Sequence, residues 1–551
     1  MIFGDTPLDQ AEGAILAHSL KLGGKPGDAR FKKGRVLSAD DVDALRQAGI
    51  RSIVAARLEP GDVHEDEAAA TIAQAVAGEG LSASAAFTGR CNLIAETRGV
   101  LVVERLRLDA LNLVDEAVTV ASLPAYELIE PRQMAATIKI IPFAVPGPVL
   151  EACLAVAKQG GPLVRVAALR PRQVGLVQTT LPGIKPSLLD KTREAIDARL
   201  AALDCPSALE HRVAHRSEAV AAAIAELRAA GCALVLVSGA SAIVDRRDVV
   251  PAGIEAAGGT IEHFGMPVDP GNLMLLAHDE RGALLGLPGC ARSPKLNGFD
   301  WVLQRLLADV PVTSRDLMLM GVGGLLKETG ARPLPRAAAV EDAKPAVPRA
   351  PQIAAVVLAA GRSTRMGPVN KLLADVAGAP MVRRVAEAAL ASRADPVIVV
   401  TGHGRDKVEA ALAGLGVTTV HNSDYAAGLS TSLHRGLAAV PAEADGVVVC
   451  LGDMPRVSPA VIDRLIAAFN PLEGRAICLP TWQGKRGNPV LLARRFFAEI
   501  QAVAGDVGAK ALIGEYPEAV AEVPMPDDAV LTDIDTPEML AALRSAAERP
   551  A

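Results

Sequence analysis

Short apolar runs rich in β-branched residues alternate with helical stretches along the C-terminal part of the chain. They are AAVVLAA (354–360), PMVRRVAEAALAS (380–392), PVIVVTG (396–402), a helix near 404–413, VTTVH (417–421), a helix near 428–438 and GVVVCLGD (446–453). Runs of this length bounded by turn residues read as strands buried on both faces, and the stretches between them carry one apolar stripe. Repeated strand and helix imply a parallel sheet with helices on both faces and a ligand at the carboxyl ends of the strands.

A second such series lies upstream: VGLVQTT (174–180), a long helix near 186–203, another near 215–230, ALVLVSGAS (233–241), a helix near 248–257 and LLGLPG (284–289). Residues near 76–165 mix strands and helices. In 31–50, Ser38 is placed to cap a helix whose Val42, Leu45 and Ala48 form an apolar stripe. The segment 329–352 loses all apolar periodicity to Pro, Ala and charged residues and reads as a linker. The expected units are therefore an N-terminal region 1–165, an α/β unit 166–328, the linker, and an α/β domain 353–551.

With 551 residues the chain is too long for one core. Only 3% of residues are aromatic, so the cores are expected to be built from Ala, Val and Leu. A formal charge of −6 gives no overall attraction to nucleic acid or an anionic membrane. Seven scattered cysteines without a CxxC pair suit buried thiols in a reducing compartment. The N-terminus lacks the basic and apolar regions of a signal peptide, and no apolar run is long enough to span a membrane. A soluble, cytoplasmic protein is expected.

The strongest chemical signal is LAAGRSTRMGPVNK, from Leu358 to Lys371. A strand ends at Leu358, Ala359 and Ala360, and the following loop carries Gly361, Arg365, Gly367 and Lys371. Glycine lets backbone approach a phosphate closely, and the two cations offer charge-assisted hydrogen bonds to its oxygens. The spacing is that of neither a P-loop nor a Rossmann fingerprint.

This loop resembles the LxxGxSxRMGxxK loop of the nucleotidyltransferases of the molybdenum cofactor pathway. NSDYAAGLSTSLHRGL (422–437), CLGDMP (450–455), KRGNPVLL (485–492), GDVGAKALI (505–513) and LTDIDTPEML (531–540) follow in that family's order, so the resemblance covers 353–545. It implies a Rossmann-like, GT-A-like fold. It implies an NTP triphosphate over 359–371 with Arg365 and Lys371 on its oxygens, and Mg²⁺ held by Asp453 and Asp535, with Asp533 a less certain neighbour. Asp453 follows an apolar strand, where a carboxylate can hold a hard cation; a turn or N-cap carboxylate is the other reading, and Asp535 is equally placed to cap the helix starting near Pro537. Ser430, Thr431 and Ser432 open a helix and can meet a base, ribose or phosphate, or simply cap it. Arg486, Gly487 and Asn488, and Asp506 with Gly508, resemble family loops near the pterin. Ala359-Ala360-Gly361 and Asn370 resemble the cytidylyl-transferring branch, whose substrates are CTP and molybdopterin; the guanylyl branch usually has LAGG and an Asp before the lysine.

The N-terminal half resembles the molybdopterin-binding domains that act in molybdate insertion, through LVSGASAIVDRRD (236–248), GMPVDPGNLMLLA (265–277) and LLGLPGCARSP (284–294). Ser238, Gly239, Ser241 and Asp245 stand where that family contacts pterin, with Asp248 a further acidic position; a solvated turn is the alternative for both acids. The turn is shortened to Ser238-Gly239-Ala240-Ser241, and the family's Lys-Pro-Gly-Lys-Pro run becomes 266–271 without lysine. Binding or channelling of pterin is therefore expected of this half, in place of insertion.

His211 and His215 have the i, i+4 spacing of a helical metal clamp without the Glu of HExxH, and a solvated helix face is the expected reading. The acids of DVHEDEAAA (62–70) read as a helix start. The expected reaction is attack by the terminal phosphate of molybdopterin on the α-phosphorus of CTP, with no protein nucleophile. Alternatives are another nucleotide or acceptor on the same fold, and a carrier that hands the dinucleotide to apo-molybdoenzymes or their chaperones.

Overall fold

The computed structural model describes residues 1–21, 30–326, 349–361, 370–471, 474–502 and 510–547. Separate groups of buried apolar side chains organise them. The first, within 8–55, lies beneath an antiparallel sheet of Ile2–Pro7, Ser52–Arg57 and Ile15–Leu16. Helix Ala39–Gln47 closes it. Ser38 accepts the Asp41 amide and Asp41 accepts that of Ser38, so both ends of a capping box are made. Val42 and Leu45 are buried, but Ala48 is exposed at the C-cap, so the apolar stripe is one residue shorter than the spacing predicts.

The second group spans 68–166 and fills the space between helices Glu65–Val76 and Gly147–Lys158 and a four-stranded antiparallel sheet. Residues 1–165 thus hold two cores. Val100, Val102 and Ala167 pack with Ala308 and Val310, which joins the second group to the next unit.

The third unit has a six-stranded sheet in the order Leu209–Ala214, Val174–Thr180, Leu234–Ser238, Gly282–Gly286, Leu275–Asp279, Thr260–Phe264. The first four strands are parallel, with helices Pro186–Ala201, Ser217–Ala229 and Val249–Ala256 between them. Here the expected helix face of His211 and His215 is overturned. Leu209–Ala214 is an edge strand paired in register with Val174–Thr180, and pairing against a buried strand outweighs the local helical spacing. Four residues along a strand cover about 13 Å, so the two rings do not converge. His211 pairs with Glu226 at 3.1 Å.

The C-terminal sheet runs Thr418–His421, Val397–Thr401, Ile353–Ala359, Gly446–Leu451, Val490–Ala493, Ile477–Trp482, Lys485–Arg486, with Val520–Pro524 also paired to Ile477–Trp482. The first four strands are parallel, and the pairings of Val490–Ala493 are antiparallel. Every residue of Ile353–Ala359 is buried, as expected for a central strand covered on both faces. Helices Met381–Leu390, Leu429–Ala438 and Pro459–Ala468 supply the cover. Among the described residues no helix is long and apolar enough to cross a membrane.

Contacts tie this domain to the N-terminal half. Arg393 donates to the Ala83 carbonyl, the Ala350 amide to the Arg132 carbonyl at 2.9 Å, and Lys32 to the Val520 carbonyl. Most of the expected linker lies outside the described residues. At its end, Arg349 pairs with Asp445 at 2.9 Å.

Candidate active site

The site is assembled where three parallel strands end. Ile353–Ala359 delivers Leu358, Ala359 and Ala360, all buried, and then the exposed Gly361. The adjacent strand Gly446–Leu451 ends in Gly452, whose amide bonds back to the Leu358 carbonyl at 3.0 Å. A Cβ at Gly452 would lie 2.9 Å from that carbonyl oxygen, so the close turn that sets Asp453 needs glycine. On the other side, a Cβ at Gly402 would lie 2.7 Å from that of Ala360, and the His403 amide reaches the Ala360 carbonyl at 3.2 Å. Motif matching singled out neither glycine; both follow strands, which was the available signal.

Lys371 opens the 3₁₀ turn Lys371–Leu373, and Asn370 caps that turn by accepting the Leu372 amide at 3.1 Å. The Lys371 ammonium lies 2.6 Å from Asp453 Oδ2 and 2.6 Å from Asp535 Oδ1. Burial by itself pulls the lysine pKa down, but the two carboxylates together outweigh it and hold the ammonium above its usual range. Asp453 Oδ1 is buried and accepts no hydrogen bond. The carboxylate does not cap a helix: the next helix, Pro459–Ala468, has Ser458 at its N-cap.

Asp535 is brought to the site by a backbone link, since the Ile534 amide donates to the Asp453 carbonyl at 3.0 Å. Ile534 and Leu540 pack with Ala374, Val376 and Met381, which seats helix Pro537–Ala547 beside the turn carrying Lys371. Thr536 Oγ1 accepts the Met539 amide at 3.4 Å, so the threonine is the helix cap and Asp535 faces the lysine. Asp533 is exposed.

Ser430, buried, lies in the first turn of helix Leu429–Ala438, which has Gly428 at its N-cap and no side-chain cap bond. Thr431 and Ser432 instead take the two N–H groups of Asn422, at 2.9 and 3.0 Å. Asn422 is fully buried at the end of Thr418–His421 and fixes how this helix points toward the site. Its place as the first polar residue after a strand was the sequence clue that went unused.

Arg486 is held by Glu522 at 2.8 Å on the sheet edge. Gly487 and Asn488 run beside Val530: the Asn488 amide donates to the Val530 carbonyl at 2.9 Å, and a Cβ at Gly487 would lie 2.1 Å from that oxygen. They thereby position the segment leading to Asp535. Arg365, Gly367, Asp506 and Gly508 lie outside the described residues.

In the N-terminal half, Ser238 is buried at the end of its strand, and Gly239 accepts a hydrogen bond from Arg292 at 2.6 Å. The Ala240 amide donates to Thr179 Oγ1 at 2.7 Å, and that hydroxyl lies 2.8 Å from His215 Nδ1. The other ring nitrogen, Nε2, lies 3.5 Å from Ser241 Oγ. Asp245 pairs with Arg247 at 2.9 Å on the surface, which holds its carboxyl below the usual range, and Asp248 caps Val249–Ala256. The acidic residues therefore make local bonds, and His215, expected on a solvated helix face, stands with the serine turn.

Burial pushes the thiols of Cys450 and Cys478 up to about 12. Among the described residues no group of three or more His, Cys, Asp or Glu is placed to hold a metal ion.

Residues 355–520 match the model of the MobA-like NTP transferase domain, and residues 5–57 match a domain of unknown function, DUF8806. A probable molybdenum cofactor guanylyltransferase of Natronomonas pharaonis is 36% identical over 20% of this chain and 54% of its own length. The bifunctional protein GlmU of Sorangium cellulosum is 35% identical over 21% of this chain and 26% of its own, and nicotine blue oxidoreductase of Paenarthrobacter nicotinovorans 27% over 34% and 95%. The chain spans 26% to 35% of the length of the first GlmU proteins it matches. Lys371, Asp453 and the strand ends that carry them thus lie in a stretch that matches the MobA-like NTP transferase domain, and Asp535 joins them from just beyond it.

Proposed function

We propose that the C-terminal domain is a nucleotidyltransferase that moves CMP from CTP to the terminal phosphate of molybdopterin, releasing pyrophosphate, and that the N-terminal half holds the pterin. The observation that carries the reading is the meeting of Lys371, Asp453 and Asp535 at the carboxyl ends of parallel strands. Asp453 Oδ1, buried without a hydrogen-bond donor, suits an oxygen ligand to a hard cation. Two carboxylates completed by phosphate oxygens form an ordinary Mg²⁺ donor set. Asp453 and Asp535 would hold that ion, which offsets phosphate charge when bound. Lys371 serves the charge that gathers on the α-phosphoryl group and the leaving pyrophosphate. Among the described residues no atom lies within 4 Å of where a Gly361 side chain would start, which suits phosphate beside the backbone. Asn370 and Asn422 fix the turn and helix around that space.

The Ala359-Ala360-Gly361 and Asn370 pattern supports CTP. GTP is the second reading, favoured by the guanylyltransferase relative. Delivery of the dinucleotide to an apo-molybdoenzyme or its chaperone, in the cytoplasm, is part of the same proposal. The test is pyrophosphate release by the full chain with Mg²⁺ and molybdopterin, comparing CTP, GTP and ATP, with the pterin omitted as control. Pterin-dependent release with CTP alone supports the reading. Release with GTP changes the base, and no release with any nucleotide overturns the activity.

A further inference from the structure

Lys371 is asked to be in two places. Its ammonium bonds one oxygen of each aspartate, at 2.6 Å and 2.6 Å, so those two oxygens are at most about twice that distance apart. On the reading above, the same two carboxylates hold a divalent cation and the same ammonium meets the triphosphate. An ammonium and a divalent ion sharing these oxygens would sit within a few ångströms of each other in a partly buried site, where like charges repel strongly.

We propose that Lys371 is an exchangeable internal counter-ion: it neutralises Asp453 and Asp535 until a divalent cation displaces it, and the displaced ammonium is then delivered to the nucleotide's phosphates. This rests on the nucleotidyltransferase reading and adds an order and a coupling to it. Three further features of the site suit such an exchange. The lysine sits at the start of a 3₁₀ turn, on a long unbranched side chain that can swing without moving the backbone. Each aspartate is fixed from its backbone, Asp453 by the Gly452 turn and Asp535 by the Ile534 link, so the carboxylates stay while the ammonium leaves. Asp453 Oδ1 remains unbonded while Oδ2 holds the lysine, leaving one oxygen on which an incoming cation can settle first.

Linkage then makes metal and nucleotide mutually dependent. The cation must compete with Lys371 when nucleotide is absent, and the triphosphate removes that competitor by giving the ammonium other oxygens. Without nucleotide the wild-type chain should bind metal weakly, and Lys371→Met, which keeps the length and apolar stem but removes the charge, should bind it at least tenfold more tightly.

The experiment is titration of the full chain with Mn²⁺, read by electron paramagnetic resonance without nucleotide, for wild type, Lys371→Met and Asp453→Asn. The wild-type chain is also acylated at lysine with and without Mg²⁺ at constant ionic strength, and modification at Lys371 is counted by mass spectrometry. The expected result is tighter Mn²⁺ binding by Lys371→Met, its loss in Asp453→Asn, and several-fold faster acylation of Lys371 when Mg²⁺ is present. Equal Mn²⁺ affinity in wild type and Lys371→Met, with unchanged acylation, overturns the exchange and leaves the metal site standing. Binding that survives Asp453→Asn unaltered overturns the metal site itself. The acylation arm uses only wild-type protein, so a Lys371→Met chain that fails to fold does not remove the test.

Discussion

Lys371 Nζ and Asp453 Oδ2 lie 2.6 Å apart across 82 residues of sequence, joining the loop after one central strand to the loop after its neighbour. Asp535, from a third segment, closes the set at 2.6 Å from the same nitrogen. The grouping exists because neighbouring parallel strands end at the same level, and it gives the substitutions below their expected effects.

Lys371→Met should lower pterin-dependent pyrophosphate release by about a hundredfold to a thousandfold, the range seen when one preorganised charge at a reacting phosphate or oxyanion is removed. The loss should fall on kcat more than on KM, because the lysine acts on charge that develops during transfer. Steady-state kinetics with varied NTP, together with a circular dichroism spectrum to show the fold retained, checks it.

Two glycines should respond in opposite ways. Gly487→Ala would place a carbon 2.1 Å from the Val530 carbonyl oxygen, so it should cost about 1–3 kcal/mol of stability and, by moving the segment to Asp535, weaken the metal dependence of turnover. Gly361→Ala meets no atom of the described residues within 4 Å and should leave the melting temperature alone while raising KM for the nucleotide. Thermal melts and Mn²⁺-dependent rates separate the two.

Glu65 gives a pH-dependent stability. It is almost wholly buried; desolvation pushes its carboxyl up, Lys139 partly opposes this and Asp66 adds to it, for a value of about 7 against an ordinary 4.5. A folded-state pKa above the unfolded one means the folded chain holds the proton more tightly. The associated stability is present below 4.5 and is lost as pH rises to about 7. Glu65→Gln should remove this slope and stabilise the chain at neutral pH by up to about 3 kcal/mol, following 1.36 kcal/mol per pKa unit. Urea denaturation at several pH values between 4 and 8 reads it, the range being set at about one unit either side of the titration.

Thr179→Val should loosen the turn Ser238 to Ser241 by removing both the acceptor for the Ala240 amide and the hydroxyl that His215 Nδ1 bonds. If the N-terminal half holds the pterin there, affinity for molybdopterin should fall about tenfold, the size of one or two lost hydrogen bonds. Fluorescence titration of the pterin is the measurement, and nucleotide turnover at saturating pterin should be unaffected.

The sequence made the strands of both parallel sheets readable because they are buried on both faces and so appear as unbroken runs, as in Ile353–Ala359 and Leu234–Ser238. Lys371, Asp453 and Asp535 were legible because each follows or flanks such a run within a motif. His215 was not: its strand lies at a sheet edge with mixed burial, where a period of two is hidden and an i, i+4 pair suggests a helix. Asn422 and Gly452 escaped because their importance lies in what they bond or approach across the fold, and neither contact has a signature along the chain. That Thr536, and not Asp535, bonds the first turn of the last helix likewise shows only in the fold.

Asp535 reaches the site on a segment that follows every strand of its sheet, docked by Ile534 and by the helix beginning at Pro537. During synthesis the central strands can pair, and the lysine can find Asp453, before this segment has been made. The second carboxylate arrives last, so a nascent domain carries a recognisable nucleotide loop before it carries a finished centre.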